Sequence, residues 1–295
     1  LAAPAALAAP GDLDPTFAGG AGTERFYLSE EKIFLGAVAT QPDDKIVLAG
    51  SEDPGSLIVV RLLADGKFDP SFGVDGKVTT PFPGTGNFGG ADAVAIQPDG
   101  KIVVAGSAKG AGESDFLVAR YEPNGAPDPT FGGGDGIEIF PVGTKQDQAR
   151  AIALGAGGRI LVAGDASLPI SGEAVGVAVL KPDGKPDPAF STDGVELVNA
   201  TGAKETDRGE AIVEQPDGKI LIADSTGNGA GNGFTLVRLL AKGGPDPSFD
   251  GDGTVNTPMP SATNPGARAA SRASPCSPTA GSSPPDTATT KSARP

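Results

Sequence analysis

Asp-Pro-(Thr/Ser/Ala)-Phe occurs five times in this chain, at 14–17, 69–72, 128–131, 187–190 and 246–249, so that its copies start 55, 59, 59 and 59 positions apart. A second landmark alternates with it: QPDDKIVLAG at 41–50, QPDGKIVVAG at 97–106, a degenerate GAGGRILVAG at 155–164 and QPDGKILIAD at 215–224. Two signals interleaved in constant order define a tandem array. An array restricts the fold to units that bury their apolar faces on one another, because each unit is too thin to do so alone.

Within a unit the apolar pattern reads as four strands. Ala93-Val94-Ala95-Ile96 leads into Pro98-Asp99-Gly100, where Pro presets φ and Gly accepts positive φ, so a hairpin is expected. The returning run Lys101-Ile102-Val103-Val104-Ala105 is β-branched and apolar on both faces, which suits a strand covered on both sides and should make it the best buried of the four. A third strand is expected at 116–121 and at its counterparts 57–62, 175–180 and 234–239. After it come Asp-Pro-x-Phe, a Gly-rich turn and a fourth strand such as 77–82, whose Pro81 places it at an edge.

Four antiparallel strands per repeat match a propeller blade whose first strand lines a central channel, whereas a single-rung solenoid needs a period of only about 20 to 30 residues. The expected fold is therefore all-β. It is a β-propeller built from about five repeats of roughly 59 residues, with four antiparallel strands per blade and a ring that need not be complete. A fourth-strand element, 14–26, precedes the first full set of strands. That order lets an N-terminal outer strand complete the last blade.

Composition narrows the chemistry. The chain has 45 Gly and 28 Pro, no His, no Trp and one Cys, Cys276. His-based acid/base catalysis, a Ser/His/Asp triad, a Cys/His zinc site and an internal disulfide are excluded by inventory. The net charge is −14. Arg268, Arg272, Lys291 and Arg294 against Asp286 make the tail 4 − 1 = +3, which leaves −17 elsewhere. Nucleic acid is therefore a poor partner. No stretch reaches the roughly 18 apolar residues of a membrane span.

Domain organisation follows the periodicity: 1–10 a signal-peptide remnant or linker, 11–260 the repeat array, and 261–295 a tail. Ala6-Leu7-Ala8 has the small-residue pattern of a signal-peptidase site, with a plain Ala/Pro linker as the other reading.

QPDGKIVVAG, FLVARY at 116–121 and DPTFGGGDG at 128–136 together resemble the delta-60 repeat family, a bacterial β-propeller-type repeat of unknown function. The resemblance covers roughly 11–258. It implies a secreted or envelope-associated bacterial protein and supplies no catalytic residues. The third repeat departs from the pattern at 155–158, where Gln-Pro-Asp-Gly is replaced, and at Val179, where Arg61, Arg120 and Arg238 hold the equivalent place.

The tail has no periodicity, although a further hairpin motif is due near Cys276. If each codon takes the third base of one residue and the first two of the next, with GC-rich choices, residues 273–295 read VALQPDGRIVAAGHGDDEIGAA. The expectation is a frameshifted remnant of the next repeat, the alternative being a disordered Ala/Ser/Pro/Thr tail. Under the frameshift Cys276 carries no chemistry.

Three candidate sites follow from the repeats. The pairs Asp75-Gly76, Asp135-Gly136, Asp193-Gly194 and Asp252-Gly253 offer hard oxygen ligands for calcium, but they lack the run of acidic ligands of a calcium loop and fit Asx-turns better. Arg61, Arg120 and Arg238 could form an anion site, or pair with the Asp of Asp-Pro. Gly132-Gly133-Gly134 is no phosphate loop, because no Gly-Lys-Ser/Thr follows. No catalytic, cofactor or metal residues are assigned, and the ligand is open.

The functional expectation is a non-enzymatic secreted repeat module for binding or surface scaffolding, its partner an unidentified protein or glycan at the cell surface. The alternatives are a propeller enzyme of lyase or lactonase type acting in the channel, which the absence of His disfavours, and an inactive truncated gene product.

Overall fold

A computed structural model describes residues 12–26, 28, 31–53, 55–81, 89–109, 113–169, 172–200, 207–228 and 231–258. The expected leader at 1–10 and the tail with Cys276 lie outside these residues. The described chain forms four antiparallel sheets of four strands each. Blade 1 is β1 (Ile33–Thr40), β2 (Ile46–Glu52), β3 (Ser56–Leu62) and β4 (Lys77–Pro81); blade 2 is β5 (Gly89–Ile96), β6 (Ile102–Lys109), β7 (Ser114–Tyr121) and β8 (Ile137–Phe140). Blade 3 is β9 (Asp147–Leu154), β10 (Ile160–Ser167), β11 (Glu173–Leu180) and β12 (Val195–Val198), and blade 4 is β13 (Gly209–Glu214), β14 (Ile220–Asn228), β15 (Gly231–Leu239) and β16 (Thr254–Pro258). In every sheet the strands pair in chain order, so the Pro-bearing fourth strand sits at an edge as the sequence implies.

Each blade presents one apolar face to the next. Val47, Leu57, Val59 and Phe72 of blade 1 pack with Ile102, Val104, Leu117 and Tyr121 of blade 2. Val103, Phe116, Val118 and Phe131 pack with Ile160, Val162 and Leu180 of blade 3, and Leu161, Val177, Val179 and Phe190 pack with Ile212, Ile220, Ile222 and Val237 of blade 4. At roughly 1.5–3 kcal/mol for each fully covered large aliphatic, these junctions hold the array together. Third strands are buried as fully as second strands: β7 and β11 are each closed over their last six residues. The second strand is thus not uniquely the best covered, since both middle strands lie between two neighbouring blades.

The first strands β1, β5, β9 and β13 neighbour one another in succession, as channel-lining strands do. The array is open at both ends. Phe34 and Val38 on β1 are 63% and 64% exposed, and Val213 on β13 is 50% exposed. Among the described residues four blades are complete. The fifth Asp-Pro-x-Phe copy, at 14–17, stands ahead of blade 1 without strands of its own among the described residues. No helix among the described residues is long and apolar enough to cross a membrane.

Candidate functional site

The two sequence landmarks meet in space. In blade 2 the Lys101 ammonium lies 2.7 Å from Asp128 Oδ2, and Arg120 Nε donates to the same oxygen at 2.6 Å. Oδ1 of Asp128 accepts from the amide and hydroxyl of Thr130, while Arg120 Nη1 reaches across the junction to the carbonyl of Pro182 at 2.6 Å. The guanidinium stacks over the Phe131 ring at 4.5 Å, a cation–π contact in a dry setting.

Blade 1 repeats this with Arg61, Asp69, Ser71, Lys45, Phe72 and the Pro123 carbonyl. Blade 4 repeats all but the cross-junction bond, with Arg238, Asp246, Ser248, Lys219 and Phe249. Burial pushes Asp69 up, but the Ser71 hydroxyl and amide and the Arg61 charge outweigh it and hold the carboxyl at about 2. Asp128 and Asp246 are likewise held well below the ordinary carboxylate range against the effect of their burial.

The Arg residues therefore do not converge on one anion site. Each pairs with the Asp of Asp-Pro in its own blade, and Arg61 and Arg120 also latch that blade to the next. A backbone bond crosses each described junction, with or without an Arg: the amides of Ala18, Gly73, Gly132 and Ser191 donate to the carbonyls of Asp65, Asn124, Asp183 and Lys242 on the following blade, at 2.8–2.9 Å.

Of the Asp-Gly turns, Asp135, Asp193 and Asp252 each accept the amide two residues on, at 3.1, 3.0 and 2.8 Å, the Asx geometry. Among the described residues no three acidic, His or Cys side chains are grouped so as to hold a metal. Gly132-Gly133-Gly134 lies in the turn leading into β8, and Gly132 has φ +63°. The third repeat still builds a full blade: Val179 is completely buried, and Glu214 of blade 4 accepts from the Ala156 amide and from Arg159, clasping the altered turn.

Toward the opposite end of the strands lies a feature that the residue pattern did not disclose. Every first strand carries a β-bulge, centred on Gly36, Asp92, Arg150 and Glu210. A bulge re-aims its side chain and draws the strand toward its partner. Gly50, Gly106 and Gly164 on the second strands are required there, because an added Cβ would overlap the carbonyl oxygens of Phe34, Gly90 and Gln148.

The re-aimed side chains form a polar row across blades 2 to 4. Gln148 Nε2 donates to Asp92 at 3.0 Å, Arg150 pairs with Asp165 and Gln148, and Ser225 donates to Glu210 at 3.0 Å. In blade 4, Asp224 replaces the close-approach glycine and is 2% exposed. Its Oδ1 accepts the Arg208 amide at 2.5 Å, and its Oδ2 has no partner among the described residues. Burial, then the charges of Asp207 and Glu210, push this carboxyl up to about 7, against the opposing Arg208 bond.

Two clefts adjoin these groups. One of about 570 Å³ lies at the latch between blades 2 and 3, beside Gln97, Lys101, Arg120, Thr130 and Asp183. The other, about 260 Å³, opens at the bulge end and is lined by Ser51, Gly89, Gly90, Asp92, Ser107, Ser114 and Gln148.

Four segments, 41–72, 97–131, 158–190 and 215–249, match the family model described as "Domain of unknown function (DUF5122) beta-propeller". Each segment ends on the Phe of Asp-Pro-x-Phe, so the matched unit is the second strand, the third strand and the latch. No curated protein matches the chain. Among solved structures, the chain is similar to a mannose phosphorylase from Leishmania mexicana in complex with phosphate ion, at 11% identity and a TM-score of 0.36, covering 72% of this chain and 70% of that one. It is also similar to the PQQ-bound form of an aldose sugar dehydrogenase from Streptomyces coelicolor, at 13% identity and a TM-score of 0.36, covering 72% and 61%.

Proposed function

We propose that this β-propeller repeat domain is a non-enzymatic module that acts outside the cell, binding a protein or glycan partner or scaffolding a surface protein. One observation carries the reading: in three of the four described blades the motif's charged side chains are engaged in the same Arg–Asp pairing, so they do not converge on a unique reactive constellation. A catalytic centre needs a nucleophile, base or metal aimed at one point, and the chain has no His. The small cleft at the bulge end, lined by Ser51, Ser107, Ser114, Asp92 and Gln148, is suited to holding hydroxyl groups. Export rests on Ala6-Leu7-Ala8.

The test is capture. The purified chain is immobilised and offered bacterial envelope glycans, envelope proteins and intact cells, beside an Asp92→Ala/Gln148→Ala double variant and a chain lacking 41–249. Specific capture that the double variant weakens and the deletion abolishes supports the proposal. Turnover in an esterase, lactonase and lyase screen with divalent cations added, or capture unchanged by the deletion, overturns it.

A further inference from the structure

We propose that the two open ends of the array flank one missing blade, built from a further three-stranded unit of this same repeat together with the N-terminal element. The first two strands of that unit are encoded, one base out of frame, by the codons of residues 273–295. Complete junctions show what belongs there. The Phe of one blade packs over the turn glycine of the next, Phe72 against Gly125 and Phe131 against Gly184, and the Arg stacked on that Phe donates Nη1 to the following blade.

The N-terminal element supplies only part of this. Phe17 packs on Gly66 and the Ala18 amide bonds to Asp65, so the element docks on blade 1 as an outer strand should. Phe26 extends it, stacking edge-on against Phe68 at 5.0 Å. Yet Asp14 is exposed and bonded to Thr16, while Asp69, Asp128 and Asp246 are each at most 2% exposed against an Arg. Among the described residues no third strand brings Asp14 an Arg.

Blade 4 shows the complementary deficit. Arg238 is stacked and paired, but among the described residues no carbonyl accepts from its Nη1. Phe249 is half-buried where Phe72, Phe131 and Phe190 are closed to within 1%. Val213 and Phe234 stand 50% and 46% exposed on the face that its counterparts bury.

The occupant is set by continuity with three existing junctions and by the coding pattern. The sequence VALQPDGRIVAAG, obtained from residues 273–286 in the shifted frame, places a first-strand end, a hairpin turn and an apolar second strand where the period requires them. In each latched blade the basic residue of the turn motif precedes the third-strand Arg by one hairpin: Lys45 before Arg61, Lys101 before Arg120 and Lys219 before Arg238. The same spacing puts the missing Arg just past the codon for Pro295.

The coding DNA is sequenced from the codon for Asn264 onward and read in the shifted frame. The expected result is QPDGRIVAAG or its close equivalent, followed by a third-strand Arg at a distance between that of Lys45 to Arg61 and that of Lys101 to Arg120. A shifted stop, a Ser277 codon of the TCN type, which destroys the Gln, or a missing Arg overturns the proposal. The chain as given and a frame-corrected chain are then each compared with their Asp14→Asn variant by thermal unfolding and by hydrogen exchange at residues 17–26. Asp14→Asn is expected to lower the midpoint of the corrected chain by about 4 °C or more and to leave the given chain unchanged. Equal shifts in both chains, or none in either, overturn it; exchange protection of 17–26 gained only on correction supports it without relying on the variant.

Discussion

Asp224 offers the sharpest physical test of the array. Where three blades place a glycine against the bulged first strand, blade 4 places a carboxyl that is 2% exposed, with one oxygen unpartnered among the described residues and the group pushed up to about 7. A rise from 3.8 to about 7 is about 3 units, worth roughly 4 kcal/mol when the group is ionised. The sign follows from proton binding. The folded chain holds this proton to higher pH than the unfolded chain does, so stability falls as pH climbs from about 4 to about 7 and the penalty is complete above that window. Asp224→Asn keeps the shape and the acceptor for the Arg208 amide but cannot ionise. It should match the parent near pH 4 and exceed it at pH 8. At about 2–4 °C per kcal/mol for a domain of this size, and allowing half the effect to relax away, the gain at pH 8 is at least about 4 °C. The assay is thermal unfolding of parent and variant by circular dichroism at pH 4, 5.5, 7 and 8. Other titrating groups cancel in the difference, so a gap that does not change with pH refutes the reasoning.

Arg120→Ala removes the guanidinium from a fully buried Asp128 and from the Phe131 ring; with Lys101 remaining, it should cost about 3 kcal/mol, more than Arg238→Ala at the open end, as measured by urea titration. Gly106→Ala places a methyl on the Gly90 carbonyl and should destabilise by about 3 kcal/mol or prevent soluble expression, whereas Gly133→Ala, with nothing within 4 Å, should be neutral in the same titration. Phe131→Ala, from a ring with 0% exposure, should cost about 3–5 kcal/mol against a smaller loss for the half-buried Phe249, read from paired melts. Acid should act in the opposite sense to Asp224. The depressed Asp69, Asp128 and Asp246 contribute stability that is full above about pH 4 and is lost as pH falls toward about 2, so Asp69→Asn should make the acid-unfolding step shallower, as seen by fluorescence of an extrinsic dye.

The strands, their order and the hairpin turns were legible in the sequence because each rests on a local signal: alternation, β-branching, or a Pro-Asp-Gly turn. The Arg–Asp pair was legible as one of two readings. The part played by Lys101 was not, since it stands 27 residues from Asp128 and no local pattern joins them. The bulge row escaped for a different reason. Its residues, Gly36, Asp92, Arg150 and Glu210, share no chemistry, and a one-residue slip within a short Ala-rich strand leaves the period of two almost intact. Its signal lay on the neighbouring strand. A glycine in the middle of an otherwise β-branched run, at 50, 106 and 164, weakens a strand unless another backbone passes too close for a side chain.

The third repeat shows what a junction keeps without its Arg. Its motif loses the Gln-Pro-Asp-Gly turn, exchanges Lys for Arg159 and Arg for Val179, and has Ala189 where the other complete blades carry Ser71, Thr130 and Ser248. Exchange of the Arg alone would leave a buried aspartate without its cation, which costs several kcal/mol. In this blade the aspartate is less buried and that cost is relieved. Asp187 sits half-buried with the Ala189 amide as its bonded partner, Val179 packs into the blade 3–4 core, and Arg159 turns to Glu214 on the next blade. Phe190 remains 1% exposed, and the Ser191 amide still bonds to the Lys242 carbonyl. The apolar plug and the backbone bond are therefore sufficient to join two blades. The charged half of the latch is an addition to the junction, and the blade that loses its Arg keeps Asp187 in a more exposed setting.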